Sequence, residues 1–139
     1  MTREGSCLCG SITFKTSGPL REPVGCHCQQ CRKQSGHHYV AADTADSDLV
    51  IADPSGSLNW YDASDFAKRG FCRNCGSALF WKSNGSDSTS ILLGAFDGDT
   101  GLKVERHIFV ANKGDYYDIP AGTKRFDAED SHDPRRPRG

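Results

Sequence analysis

Gly5-Ser6-Cys7-Leu8-Cys9-Gly10 and, some sixty residues later, Phe71-Cys72-Arg73-Asn74-Cys75-Gly76 decide how this chain is read. Each stretch holds two cysteines two or three positions apart, followed at once by glycine. Glycine there lets the chain turn with positive φ, so that backbone N–H groups point at thiolate sulfurs. Two such loops supply four thiolates, the full tetrahedral set of a structural zinc site. Cys7, Cys9, Cys72 and Cys75 are therefore assigned to one closed site that ties the N-terminal strand to the middle of a sheet. Reduced, buried cysteines without metal are the plainer alternative.

The composition shows why such a staple is needed. The chain has 139 residues, 17 basic and 18 acidic side chains and a net charge of -1. That balance excludes a basic nucleic-acid-coating domain and an acidic solvating chain as descriptions of the whole. Ile, Leu, Val and Phe together number 25 of 139, so the core of a single domain is lean. Zinc binding worth roughly 10–16 kcal/mol matches the whole net stability of a domain, ~5–15 kcal/mol, and offsets that thinness.

Seven cysteines cannot all pair as disulfides. The first residues carry no apolar run of the secretory kind, and the longest apolar stretch, around Ile91 to Phe96, is too short to span a bilayer. A cytoplasmic, reducing setting and no membrane partner are expected, and clustered cysteines there read first as metal ligands.

The remaining three, Cys26-His27-Cys28-Gln29-Gln30-Cys31, have no fourth cysteine to join them. They face one metal if Cys26 and Cys28 flank a bend and Cys31 lies one helical turn beyond Cys28. A zinc with three protein ligands keeps a position for water or substrate. Two other readings stay open: a histidine closes the shell, or the thiols are free and redox-active with Cys28 activated at a helix N-terminus. His27 itself is not expected on the same metal, because adjacent residues in an extended turn point apart. Three thiolates leave zinc a net charge of -1, which weakens its hold on water but suits a soft sulfur substrate. The matching reaction is addition of a substrate thiolate to a small electrophile, or its reverse.

Around these motifs the chain reads as mainly β. Ile12 and Phe14, Leu49 and Ile51, Leu58 and Trp60, and Val104, Arg106 and Ile108 alternate with their neighbours; Ala78 to Trp81 and Ser90 to Phe96 are more continuously apolar. One short helix is expected from about Cys28 to Ser35, with Gly36 as a left-handed cap. Trp60, Phe80, Trp81 and Phe96 are expected in the core. Residues 1–126 form the expected domain, and 127–139, acidic then Arg/Pro-rich, a solvated and disordered tail that includes His132.

The three cysteine groups in this order, with Arg69-Gly70-Phe71 before the third and Glu105-Arg106-His107-Ile108-Phe109-Val110 after it, resemble the glutathione-dependent formaldehyde-activating enzyme family, which includes the centromere protein V-like proteins. The resemblance covers about residues 4 to 126. It implies a β-tent fold of short antiparallel strands, a structural zinc on Cys7, Cys9, Cys72 and Cys75, and a second zinc on Cys26, Cys28 and Cys31. At that second site glutathione and formaldehyde would combine into S-hydroxymethylglutathione, a carbon–sulfur lyase chemistry. His38 and His107 are candidates for the pocket, each with a bland alternative: a strand start for His38 and a hydrogen-bonded sheet histidine for His107.

Two competitors remain for function. One is a non-enzymatic zinc-binding module or scaffold of the same fold. The other is a zinc-stabilised redox protein such as a methionine sulfoxide reductase, which needs a free cysteine among Cys26, Cys28 and Cys31. Nucleic acid is not an expected partner.

Overall fold

The computed structural model describes residues 2–129. It is mainly β, as expected, with strands β1 (Arg3–Ser6), β2 (Thr13–Thr16), β3 (Val24–Cys26), β4 (Tyr39–Ala45), β5 (Leu49–Ala52), β6 (Leu58–Asp62), β7 (Ala67–Cys72), β8 (Ala78–Ser83), β9 (Ser88–Leu92), β10 (Arg106–Ile108) and β11 (Lys124–Arg125). Among the described residues a single α-helix, α1 (Gln29–Ser35), follows β3. A small antiparallel sheet runs β1-β2-β5, and a larger one runs β11-β10-β3-β4-β9-β8-β7-β6. In the larger sheet β10 pairs parallel with both β3 and β11, and the other pairings are antiparallel. Among the described residues no helix is long and apolar enough to cross a membrane.

The core lies between the two sheets. Ile12, Phe14, Leu79, Phe80 and Ile91 are fully or almost fully buried, and Cys7 and Cys72 belong to the same cluster. Alternation places Phe14 and Thr16 inward on β2 while Thr13 and Lys15 face out. Phe14 meets Phe80 and Phe96 edge-on, at 5.5 and 5.4 Å between ring centroids. Gly5 is required beside it: a Cβ there would sit 2.4 Å from the Phe14 ring and 2.2 Å from the Ala95 carbonyl oxygen. Of the expected core aromatics, Phe80 is buried, whereas Trp60, Trp81 and Phe96 are only half-buried.

The apolar run Ser90 to Phe96 does not stay a strand. β9 ends at Leu92, and a 3-10 turn at Leu93–Ala95 redirects the chain. That bend lets Phe96 bridge back to Gly5 and cover Phe14. The alternation from Val104 likewise shortens, since pairing begins only at Arg106.

The helix matches its expected limits. Cys28 caps its start, with Sγ accepting from the Cys31 amide, and Gly36 closes it at φ 80°, donating to the Arg32 carbonyl. After β10 the chain folds back on itself. Carbonyls of Phe126, Asp127 and Ala128 accept from the amides of Val110, Ala111 and Phe109. Of the expected tail, 127–139, Asp127 and Ala128 are paired in this way, and 130–139, His132 included, lie outside the described residues.

Candidate active site and metal centres

Cys7 and Cys9 flank the turn after β1, and Cys72 and Cys75 flank the turn after β7. Their four sulfurs lie within 4.8 Å of one another, so the fold brings the assigned quartet together. Cys7 and Cys9 sulfurs are 3.6 Å apart, and those of Cys9 and Cys72 are 3.8 Å apart. A tetrahedron with zinc–sulfur bonds of ~2.3 Å has edges of about 3.8 Å, so this donor set fits zinc in both chemistry and span. Gly10 and Gly76 hold φ of 79° and 78° and donate to the carbonyls of Cys7 and Cys72, closing both turns.

Two serines surround the sulfurs. Ser11 Oγ lies 3.2, 3.4 and 3.7 Å from the sulfurs of Cys9, Cys72 and Cys7. Ser77 Oγ is 3.2 Å from Cys75 Sγ and accepts from the Leu8 amide, locking one loop onto the other. The hydroxyl and amide of Ser77 draw the Cys75 thiol down to about 5. Burial raises the Cys7 thiol, but the Ile12 amide and the Ser11 hydroxyl outweigh it, leaving a net lowering. Such groups favour thiolates, the form a metal requires.

Cys26 ends β3, Cys28 caps α1, and Cys31 sits in its first turn; their sulfurs also lie within 4.8 Å of one another. Hydrogen bonds from Cys26 and Cys31 bring the Cys28 thiol down to about 2, helped by the Cys31 amide and the charge of Arg69. Cys26, half-buried, is pushed up, chiefly by its bonds to Cys28 and Cys31 and then by desolvation. A metal held by all three would take the place of the protons they share.

Arg69, on β7, was not singled out from sequence as a site residue. It is only 4% exposed, and its Nη2 donates to Cys31 Sγ at 3.5 Å. The same guanidinium donates to the side-chain oxygens of Gln30 and Gln34 and lies over the Tyr39 ring, so α1 wraps a buried cation. Three thiolates holding a divalent metal would carry -1, and the Arg69 guanidinium would offset that charge. The available signal was an arginine next to glycine inside a strand otherwise headed for the core.

His27 is fully buried and turned away from the thiols. Its Nδ1 hydrogen-bonds to the Tyr117 hydroxyl, and its Nε2 lies 2.9 Å from His107 Nδ1. Burial, then the neighbouring imidazoles, pull His27 down to about 3 and His38 to about 4. His38 stacks on His27 at 4.4 Å between centroids. Both pocket candidates, His38 and His107, therefore converge on the residue between Cys26 and Cys28, while His37 is exposed and Tyr39 is buried. Tyr117, which completes the cluster, gave no sequence signal, because it comes from an irregular stretch ninety residues from His27.

A profile of the glutathione-dependent formaldehyde-activating enzyme family matches residues 2–112. An uncharacterised lyase of Schizosaccharomyces pombe is 29% identical over 130 residues, spanning 91% of this chain and 92% of that protein. A Halomonas elongata protein, provisionally named a glutathione-dependent formaldehyde-activating enzyme, is 30% identical over 128 residues, spanning 86% and 82%. A crystal structure of a Rhodobacter sphaeroides protein shares the fold, with a TM-score of 0.59 and 22% identity over 70% of this chain and 91% of that one. The chain belongs to the glutathione-dependent formaldehyde-activating enzyme family and is a lyase.

Proposed function

We propose that the protein catalyses reversible addition of a small thiol, glutathione or one like it, to formaldehyde or a related small aldehyde, giving an S-hydroxyalkyl adduct. Zinc is the metal at both thiol clusters in this reading, held structurally by Cys7, Cys9, Cys72 and Cys75 and reactively by Cys26, Cys28 and Cys31. One observation carries it. The three-thiol cluster has no further cysteine to complete it, and the adjacent imidazole, His27, is committed to Tyr117 and His107. A donor set of three leaves room for a fourth, exchangeable sulfur.

Bound there, the metal would hold a substrate thiol as its thiolate at neutral pH. The chain's own residues do the rest. Arg69 offsets the accumulated negative charge beside Cys31, and α1 fixes Cys28 and Cys31 one turn apart.

The test is the rate of adduct formation and breakdown with glutathione and formaldehyde, set against the uncatalysed exchange. Cys28→Ser and Cys31→Ser abolish the excess rate while the fold persists. A wild-type rate equal to that in buffer overturns the proposal.

A further inference from the structure

Of the seven residues of α1, only Cys31 and Arg32 are kept from solvent. A cysteine belongs at such a place, and an arginine does not unless something pairs with it. The Arg32 amide donates to the Cys28 carbonyl at 3.0 Å, the helical bond to the residue four back, so their side chains stand on one face of the turn. Long helical side chains lean toward the N-terminus, which carries Arg32 back over Cys28. Successive helical residues turn by about 100°, so Cys31 lies midway between Gln30 on one flank and Arg32 on the other. Arg69 holds the first flank through Gln30 and Gln34, and Arg32 stands on the second.

The two arginines differ in what they hold. Arg69 donates to Cys31, Gln30 and Gln34. Among the described residues the Arg32 guanidinium has no hydrogen-bond or ion-pair partner, and its Nε is covered from solvent. A half-buried cation left without a counter-charge costs stability. The helix dipole does not account for it, because Lys33 serves the same last turn from solvent. An anion from outside the chain would account for it, and the planar fork of a guanidinium matches a carboxylate.

We infer that Arg32 sets the substrate class of the reaction proposed above: its guanidinium takes a carboxylate of the incoming thiol, so the site works on thiols that bear carboxylates, glutathione among them, ahead of neutral or cationic thiols. The inference rests on that proposed reaction and concerns which thiol enters, leaving the bond that forms as described. The substrate is then held at two points, its sulfur among Cys26, Cys28 and Cys31 and its carboxylate on the flank of α1 beside them. Two attachments one helical turn apart fix the direction in which the sulfur faces the aldehyde, which one attachment would leave free to rotate. Arg69 and Arg32 thus divide the work, the first serving the chain's own thiols and the second the ligand's charge.

The experiment measures kcat/KM of the zinc-loaded protein for glutathione and for glutathione diethyl ester, which keeps the thiol and loses both free carboxylates, each with formaldehyde and against the uncatalysed rate. Wild type is expected to favour glutathione by roughly 10–100-fold, the worth of a hydrogen bond to a charged group, and Arg32→Gln to lose most of that preference through KM. Arg32→Lys keeps part of it, having the charge without the fork. Calorimetry with S-methylglutathione, whose sulfur is capped, reads the carboxylate contact apart from turnover; its Kd is expected to rise about tenfold in Arg32→Gln at wild-type metal content. A wild type that turns over glutathione and its diester alike overturns the inference and leaves the proposed function standing. So does an Arg32→Gln protein with the wild-type preference, or one that slows both thiols equally, the mark of a charge that only offsets thiolates. Where Arg32→Gln does not fold, Arg32→Lys decides, and a preference and Kd equal to those of wild type overturn the inference. A wild type no faster than buffer with glutathione overturns the proposed function, and this role with it.

Discussion

Arg69 Nη2 lies 3.5 Å from Cys31 Sγ, which puts a buried guanidinium from the strand leading into one thiol cluster against a thiol of the other. β7 therefore serves both centres, since Cys72 follows Arg69 by three residues on the same strand. Replacing Arg69 by Met is expected to weaken metal binding at Cys26, Cys28 and Cys31 by about 10–100-fold, the usual range for a group supporting a metal ligand. Arg69→Lys restores part of it, because the charge returns without the fork that reaches Gln30 and Gln34. Competition with a chromophoric chelator measures both.

The quartet and the triad should respond differently to substitution. Cys72→Ser removes a thiol that is itself in the core beside Phe80 and Ile91, and the protein is expected to lose cooperative unfolding or drop steeply in Tm. Cys28→Ser leaves the fold standing and releases one metal per chain. Metal counting alongside thermal unfolding separates the two, and equal Tm losses in both variants would contradict the division into structural and reactive sites.

Ser11 Oγ sits among three sulfurs of the quartet. Ser11→Ala is expected to lower metal affinity there by about tenfold, because a donor that steadies the thiolates is lost. The rate of metal transfer to excess chelator is the readout, with the triad's metal as internal control.

Phe14→Ala should destabilise by about 3–5 kcal/mol, as a buried ring contacting Phe80 and Phe96 gives way to a cavity. Gly5→Ala is expected to be comparably harmful for the opposite reason, since the added carbon meets the Phe14 ring and the fixed Ala95 carbonyl. Urea midpoints compare the two.

Stability should fall as the medium is acidified through the range set by His38. Burial lowers its pKa from 6.5 to about 4, so between these values the unfolded chain binds a proton that the folded chain refuses. Stability from this group is therefore complete above pH 6.5 and declines until pH 4. His38→Phe is expected to flatten that part of the curve in urea titrations at pH 7, 6 and 5; an unchanged slope would show that His38 does not carry it.

Much of this was legible from the order of residues alone. Helix α1 could be read to its caps, because Cys28 and Gly36 act through local geometry within a turn of the helix. Strands β2, β5, β6 and β8 carried alternation or apolar runs. β3, β4 and β7 did not, since Gly25, Gly70, Asp43 and Arg69 interrupt their pattern, and they are strands because neighbours on both sides pair with them. The run from Ser90 to Phe96 misled for a related reason: its bend at Leu93 answers to Phe14 and Gly5, which are far away in sequence.

Sequence by itself determined the two sets of thiols, their division into four and three, and the family to which the chain belongs. The thiol motifs depend on separations of two or three positions, within which covalent geometry leaves few choices. Only the tertiary structure decided what surrounds the three-thiol cluster. Arg69 reaches it from a strand 38 residues away, and the His27–His107–Tyr117 line joins residues 80 and 90 apart. Such contacts follow from sheet register and the return of the chain beside β10, so no local pattern announces them.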